Sequence, residues 1–369
     1  MRRIHILTPA VQPGDAVSND VLGMLRWFRQ RGFEAHVYTS RAHPSVRGKV
    51  RPLNDYGQHA KRRADVLIYH HSVGWRAGRR CFESSRNCKV LRFHNVTPPV
   101  FYRSYNALFT HFCAQGVKET QRLVRADPDW FLADSEFNLR ELTAWGVEAA
   151  LCRTVPPFHR IDKLDLVPLD EKLAAKLRGR RHLLFVGRLA PNKGHHHLIR
   201  ALAYYRHHLD GQADLVLVGR MDPGLNNYRE ELQHEVRRQR LHGSVHFAGK
   251  ASDRQLKTYY AHAAAFLCAS EHEGFCVPLV EAMYFGIPIV AYAGSAVADT
   301  LGECGLVWQT PAPALLAESI RELEQRSEVR DRLVRAQRGR YDAHFSAEAL
   351  ERRLEAALAP ILGGAVSHV

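Results

Sequence analysis

Apolar residues fall in short runs along this chain, and the runs form two series. The first half carries "RIHILTP" (3–9), "AHVYTS" (35–40), "DVLIYHH" (65–71), "KVLRFHN" (89–95) and "WFLADS" (130–135). The second half carries "HLLFVGR" (182–188), "ADLVLVGR" (213–220), "VHFAG" (245–249), "AAFLCAS" (264–270), "PIVAYAG" (288–294) and "GLVW" (305–308). Most runs are continuous, and segments of helical period separate them. Continuous apolar strands alternating with helices predict parallel sheets covered on both faces. Two such series in succession predict two doubly wound α/β domains.

The first domain is expected over residues 1–158 and the second over 181–345. Between them, "VPPFHRIDKLDLVPLDEK" holds prolines and charges without a sustained period, so residues 159–180 read as a linker. Residues 346–369 read as a closing helix and tail that pack back on the first domain. Ser346 is placed as N-cap there, with Leu350, Leu354 and Leu358 at four-residue spacing. A length of 369 residues agrees with two domains, because single cores stop growing near ~250–300 residues.

Composition narrows the class. With 46% hydrophobic and 24% charged residues the chain can bury a large core and is not a disordered one. No stretch reads as a transmembrane helix, and "MRRIHILTPAV" leads into a strand instead of a secretory signal, so a cytoplasmic protein is expected. The seven cysteines are scattered without a C-x-x-C pair, which supports neither a zinc ribbon nor a disulfide framework.

Charge is lopsided. The formal net charge is +14, and residues 41–92 hold 13 Lys and Arg against three acids. Such a stretch suits nucleic acid, an anionic membrane surface or a phosphate-bearing substrate. Charge alone does not choose among them.

Open parallel sheets bind ligands beyond the carboxyl ends of their strands. The unusual residues fall in those loops. In "SEHEGFCVPLVEAMYFGIPIV" the carboxylates Glu273 and Glu281 stand among apolar residues, near the start of a helix with proline in its first turn. That helix terminus suits a phosphate, and carboxylates beside it suit the hydroxyls of a sugar or ribose. In "FVGRLAPNKGHHHLIRAL" a strand ends at Gly187, and Arg188 and Lys193 follow on a loop, as two fixed cations for a diphosphate. The triplet His195, His196 and His197 is not expected to hold a metal, because adjacent helical residues point in different directions.

In the first domain His70, His71, His94 and Asn95 stand at strand ends, and Gly14 lies in the loop after the first strand. The chain has no G-x-G-x-x-G and no P-loop, which weakens dehydrogenase and ATPase readings. One D-x-D, Asp127-Pro128-Asp129, precedes a strand and reads as a turn. No metal site is expected.

Taken together, "GR…NKG" followed by the two glutamates of "SEHEGFCVPLVEAM" resembles the retaining glycosyltransferases of family 4, which have the GT-B fold. "VHFAGKASDRQLKTYYAHAAAFLCAS" and, more loosely, "FLADSEFNLREL" extend the likeness over most of the chain. The resemblance implies that Arg188 and Lys193 hold the donor diphosphate, with Gly187 beside them. It implies that Glu273 and the Gly274, Phe275, Cys276 and Val277 backbone meet the donor sugar and phosphate, and that Glu281 binds the ribose. Gly249, Lys250 and Ala251 would lie near the base, Gly14 near the phosphates and His94 near the donor sugar. The sequence departs from the pattern at "GDAVSN" in the first loop, at Cys276 in place of a common glycine, and at Asp299 in place of a frequent glutamate.

The expected activity is therefore transfer of a hexose from a GDP- or UDP-sugar, as substrate and without a cofactor, to a saccharide acceptor. The resemblance places it in bacterial surface polysaccharide or lipopolysaccharide assembly. A lipid-linked acceptor and docking at the inner face of the plasma membrane would account for the basic first domain. Rivals are a nucleotide-sugar epimerase of the same fold and a transferase for a soluble acceptor. Nucleic-acid binding ranks last, because it leaves the paired glutamates without purpose and no binding motif is present.

Overall fold

Each apolar run read from the sequence forms a strand in the computed structural model, which describes residues 2–209 and 211–363. The chain divides into two units. Unit 1 takes the chain through Val100, Leu108–His159 and the segment from Phe345, while unit 2 takes Phe101–Ala107 and Arg160–His344.

In unit 1 the strands are β1 (Arg3–Val11), β2 (Glu34–Ala42), β3 (Arg51–Pro52), β4 (Val66–His71), β5 (Cys88–Phe93), β6 (Trp130–Ala133) and β7 (Cys152–Thr154). They form one parallel sheet in the order β3-β2-β1-β4-β5-β6-β7. The short edge strands β3 and β7 were not legible as apolar runs. Ile4, Ile6, Val66 and Ile68 bury one face against Val21, Met24 and Phe28 of helix Ala16–Gln30. The same core takes Leu350, Leu354 and Leu358 from helix Ala347–Leu362, whose N-cap is Ser346. Trp130 Nε1 donates to the Ala357 carbonyl at 2.8 Å. Leu7, Leu67, Tyr69 and Leu91 bury the other face against Phe82 and Leu123. Burial on both faces is why these strands read as continuous apolar runs; each buried leucine contributes about 1.5–3 kcal/mol relative to exposure.

Unit 2 repeats the plan with β8 (His182–Val186), β9 (Asp214–Val218), β10 (Val245–Gly249), β11 (Ala263–Cys268), β12 (Ile289–Tyr292) and β13 (Leu306–Trp308). Their parallel order is β10-β9-β8-β11-β12-β13. The segment 159–180, expected as an irregular linker, contains helices Ile161–Leu166 and Glu171–Leu177. Short amphipathic turns with Ile161, Leu164, Ala174 and Leu177 buried escape a search for sustained period. Residues 364–369 of the expected tail lie outside the described residues. Among the described residues no helix is long and apolar enough to cross a membrane.

Candidate active site

In unit 2 the strand order reverses between β8 and β11, which are neighbours although two strands, β9 and β10, come between them in sequence. Ligands of open parallel sheets bind at such a switch point, beyond the carboxyl ends. The loop after β8 carries Gly187, Arg188 and Lys193; the loop after β11 carries Glu271, Glu273 and Cys276. The topology therefore brings together the two stretches that stood out in the sequence.

The loop after β8 is held by its backbone. Gly187 donates to Val218 O at 2.9 Å and Leu189 to Arg220 O at 3.0 Å. A 3₁₀ turn, Pro191–Lys193, leads to Gly194 at φ 63°, and helix His195–His208 follows. Gly194 is required twice over, by its left-handed conformation and because a Cβ there would meet Ala269 O at 2.1 Å.

Asn192 is the clamp between the two loops. Its carbonyl accepts from the backbone N–H of Glu271 at 2.9 Å and of His272 at 3.2 Å. Its Nδ2 donates to His272 O at 2.9 Å. The sequence reading assigned Asn192 no role of its own, although it stands in "NKG" directly before Lys193.

Lys193 Nζ donates to Glu273 Oε1 at 2.6 Å, with side chains 14% and 10% exposed. The sequence reading gave these residues separate duties, on diphosphate and sugar; the structure makes them partners. Glu273 N donates to Ser295 Oγ at 2.6 Å, fixing the loop from a third strand end. Arg188 is exposed and has no ion-pair partner among the described residues.

Glu281 lies on the helix Val277–Tyr284 and accepts from the buried Tyr260 hydroxyl at 2.6 Å. Burial raises its carboxyl above the ordinary value, against the lowering effects of that hydrogen bond and of Arg160. The N-cap of the same helix is Cys276, at φ 74°. That left-handed geometry explains why glycine is common there, and it makes the cysteine a strained substitute. Cys276 Sγ lies against Cys268; the contact and burial hold the Cys276 thiol well above its usual value. Phe275 is buried and its carbonyl accepts from Thr300 Oγ1. Gly274 and Val277 are half-buried on either side. Gly249, at φ 68°, closes β10 and accepts from Gly219 N at 2.9 Å; Lys250 beyond it is exposed and Ala251 half-buried.

The histidine triplet needs a correction. His195 is buried and bonds Tyr228 OH at 2.9 Å, and burial pushes its pKa down to about 3. His196 and His197, however, do not diverge: their ligating nitrogens and a Glu271 oxygen lie within 4.8 Å of one another. The expectation that adjacent residues diverge does not hold for these two rings, whose centres lie 3.9 Å apart. Asp127-Pro128-Asp129 is a structural turn, with Asp129 accepting from Lys89 N at 2.6 Å.

In unit 1, Gly14 has φ 78° and open space where a Cβ would stand. The departure at "GDAVSN" has a local cause: Asp15 caps helix Ala16–Gln30, accepting from Ser18 N at 2.8 Å. His94 is buried with both ring nitrogens engaged, Nδ1 with Asp134 Oδ2 and Nε2 with His70 Nδ1, each at 2.8 Å. A hydrogen bond from His94 to a sugar would have to replace one of these. Arg92 is buried beside them and binds Asp20 and Asp134, each at 2.9 Å. This cation of the basic stretch is thus internal and offers nothing to a membrane.

Residues 170–340 match the family described as glycosyl transferases group 1. Over 158 residues, 42% of this chain, the sequence is 33% identical to the MMP alpha-(1->4)-mannosyltransferase of Mycolicibacterium hassiacum, covering 37% of that protein. Over 114 residues, 30% of this chain, it is 36% identical to the GDP-mannose:cellobiosyl-diphosphopolyprenol alpha-mannosyltransferase of Xanthomonas oryzae pv. oryzae, covering 28% of that protein. The matches thus span well under half of either relative. Anabaena Alr3699/HepE, solved in complex with UDP and glucose, superposes with a TM-score of 0.76 over 98% of this chain and 100% of that one, at 20% identity. The chain thus has the two parallel-sheet units of the GT-B fold, and its segment 170–340, which holds the loops gathered at the switch point of unit 2, is the part that matches the glycosyl transferases group 1 family.

Proposed function

We propose that this protein is a retaining glycosyltransferase that moves a hexose from a nucleotide-diphosphate sugar to a saccharide acceptor. The observation that carries the reading is the Lys193–Glu273 ion pair at the β8–β11 switch point, with Arg188 on the same loop as Lys193 and Glu281 on the helix that follows Glu273. In this reading Lys193 and the exposed Arg188 neutralise the diphosphate, assisted by the N-terminus of helix Val277–Tyr284. Glu273 accepts from donor-sugar hydroxyls and Glu281 from the ribose, with the Gly249–Ala251 backbone near the base.

The chemistry follows from those charges. The bond between sugar C1 and the diphosphate oxygen breaks as the acceptor oxygen bonds C1 on the same face. The acceptor's proton passes to the departing phosphate, whose charge the two cations and the helix terminus stabilise. Stabilisation of a leaving anion by preorganised groups is usually a large part of catalysis. The protein supplies that charge itself, so the transfer is proposed to need no metal.

Both relatives named above carry mannosyltransferase in their names, which makes GDP-mannose the first donor to test. The diphosphopolyprenol acceptor in the second name supports a lipid-linked acceptor and a role in surface polysaccharide assembly. The exposed basic residues of 41–92 support docking at an anionic membrane, at ~1 kcal/mol for each residue near the surface. The test is a thermal-shift and donor-hydrolysis panel of GDP- and UDP-sugars. One donor should raise the melting temperature and be hydrolysed slowly. If no nucleotide sugar does either at millimolar concentration, the reading fails.

A further inference from the structure

The first turn of helix His195–His208 sets two imidazoles side by side, close to a carboxylate carried by another strand end. The His196 and His197 rings lie 3.9 Å apart between centres. His197 Nε2 is 3.6 Å from Glu271 Oε1. One ligand atom from each residue lies within 4.8 Å of the others, and all three side chains are half-buried. We propose that His196, His197 and Glu271 form a binding site for a divalent ion of the zinc class, tying the helix after β8 to the loop after β11.

Geometry supports the assignment first. A tetrahedral ion with bonds of ~2.0–2.1 Å sets its ligand atoms about 3.4 Å apart. The His197–Glu271 separation of 3.6 Å is close to that edge, and small side-chain rotations would bring in His196. Two nitrogens and one oxygen leave a fourth position for water, and the half-exposed setting gives the ion a way in. Imidazole donors favour zinc, cobalt, nickel or copper over magnesium and calcium.

Both carriers are also fixed in advance. Glu271 N donates to Asn192 O and His197 N to Gly194 O, each at 2.9 Å. The nearby cations are already balanced, Arg200 by Glu235 at 2.8 Å and Lys193 by Glu273 at 2.6 Å. A second cluster of the same composition, Asp20, His70 and His94, fails this comparison. It is buried, and Arg92 already sits 2.9 Å from the Asp20 carboxylate as its cation.

Such an ion would take no part in sugar transfer. It would brace the backbone on either side of the Lys193–Glu273 pair, since His196 follows Lys193 by three residues and Glu271 precedes Glu273 by two. The proposal stands apart from the transferase reading, because its test uses no nucleotide sugar.

The test uses the untagged full chain, stripped with a chelator and titrated with zinc by calorimetry and with cobalt by visible absorption. One equivalent should bind saturably, and cobalt should give the bands of a low-symmetry site with nitrogen ligands. His197→Ala and Glu271→Gln should each weaken binding about tenfold or more. His242→Asn, on an exposed loop elsewhere, should leave it unchanged. His196→Asn serves if either first variant fails to fold. Absence of saturable binding by the unmodified chain, or binding that the ligand variants leave intact, overturns the proposal.

Discussion

Lys193 and Glu273 form a single ion pair, 2.6 Å long, that joins the loops after β8 and β11. Both side chains are largely shielded, so each is the other's main compensation for leaving water. Losing one partner leaves the second unpaired at a cost of ~1–3 kcal/mol. Lys193→Ala should therefore lower unfolding free energy by about that amount and cut turnover ~100-fold or more. Steady-state kinetics and urea unfolding on one preparation check both. A Lys193→Ala, Glu273→Ala cycle should show coupling of ~0.5–3 kcal/mol in stability; additive losses would mean the pair is incidental.

Gly194→Ala should be more damaging than its size suggests. The new methyl would stand 2.1 Å from Ala269 O, and the residue would keep a φ of 63°. The cost should be about 2–4 kcal/mol from overpacking and left-handed strain combined. Because Lys193 immediately precedes it, donor affinity should fall as well. Thermal melts with and without nucleotide would show a lower melting temperature and a smaller ligand shift.

Glu281 gives a pH signature. Burial raises its carboxyl in the folded state, so between the unfolded and folded values the native protein holds more protons than the unfolded one. Stability from this group is thus highest at low pH and declines as pH rises through that window. Glu281→Gln, which still accepts from Tyr260, should be the more stable protein at neutral pH. The advantage should vanish below the ordinary glutamate pKa. Ribose binding by the carboxylate would carry the opposite pH sign, so donor affinity should fall in the variant.

Buried histidines give the reverse trend. His71 in unit 1 and His195 in unit 2 are each pushed down to about 3 by burial. Above the ordinary histidine pKa both states are neutral and this contribution is complete. Below it only the unfolded chain takes up the proton, so stability falls as pH drops from about 6.5 toward 3, by up to ~1.4 kcal/mol per pH unit for each residue. Denaturation series across this range should show the slope, and His195→Gln should reduce it by one residue's share, since burial also pushes His196 and His272 of unit 2 down to about 4.

The sequence displayed the fold through its apolar runs, because strands buried on both faces leave a mark that needs no partner information. The edge strands Arg51–Pro52 and Cys152–Thr154 left none, being short and partly exposed. The site was half legible. Residue type and strand-end position picked out Arg188, Lys193, Glu273 and Glu281, but periodicity cannot report what a side chain meets across a sheet. Lys193 with Glu273 and Glu271 with Asn192 are contacts between separate strand ends, and Glu281 with Tyr260 joins two helices. The same blindness hid the grouping of His196 and His197 with Glu271, more than seventy positions away.

Unit 1 is built from discontinuous stretches of chain, and its core takes Leu350, Leu354 and Leu358 from the last helix. Unit 2 is nearly all one unbroken piece. On a ribosome, unit 2 has its main segment complete while unit 1 still waits with an apolar face uncovered. A nascent chain stalled or cut before residue 345 would then be a good client for chaperones and proteases, even though every residue discussed for donor binding in unit 2 had already been made.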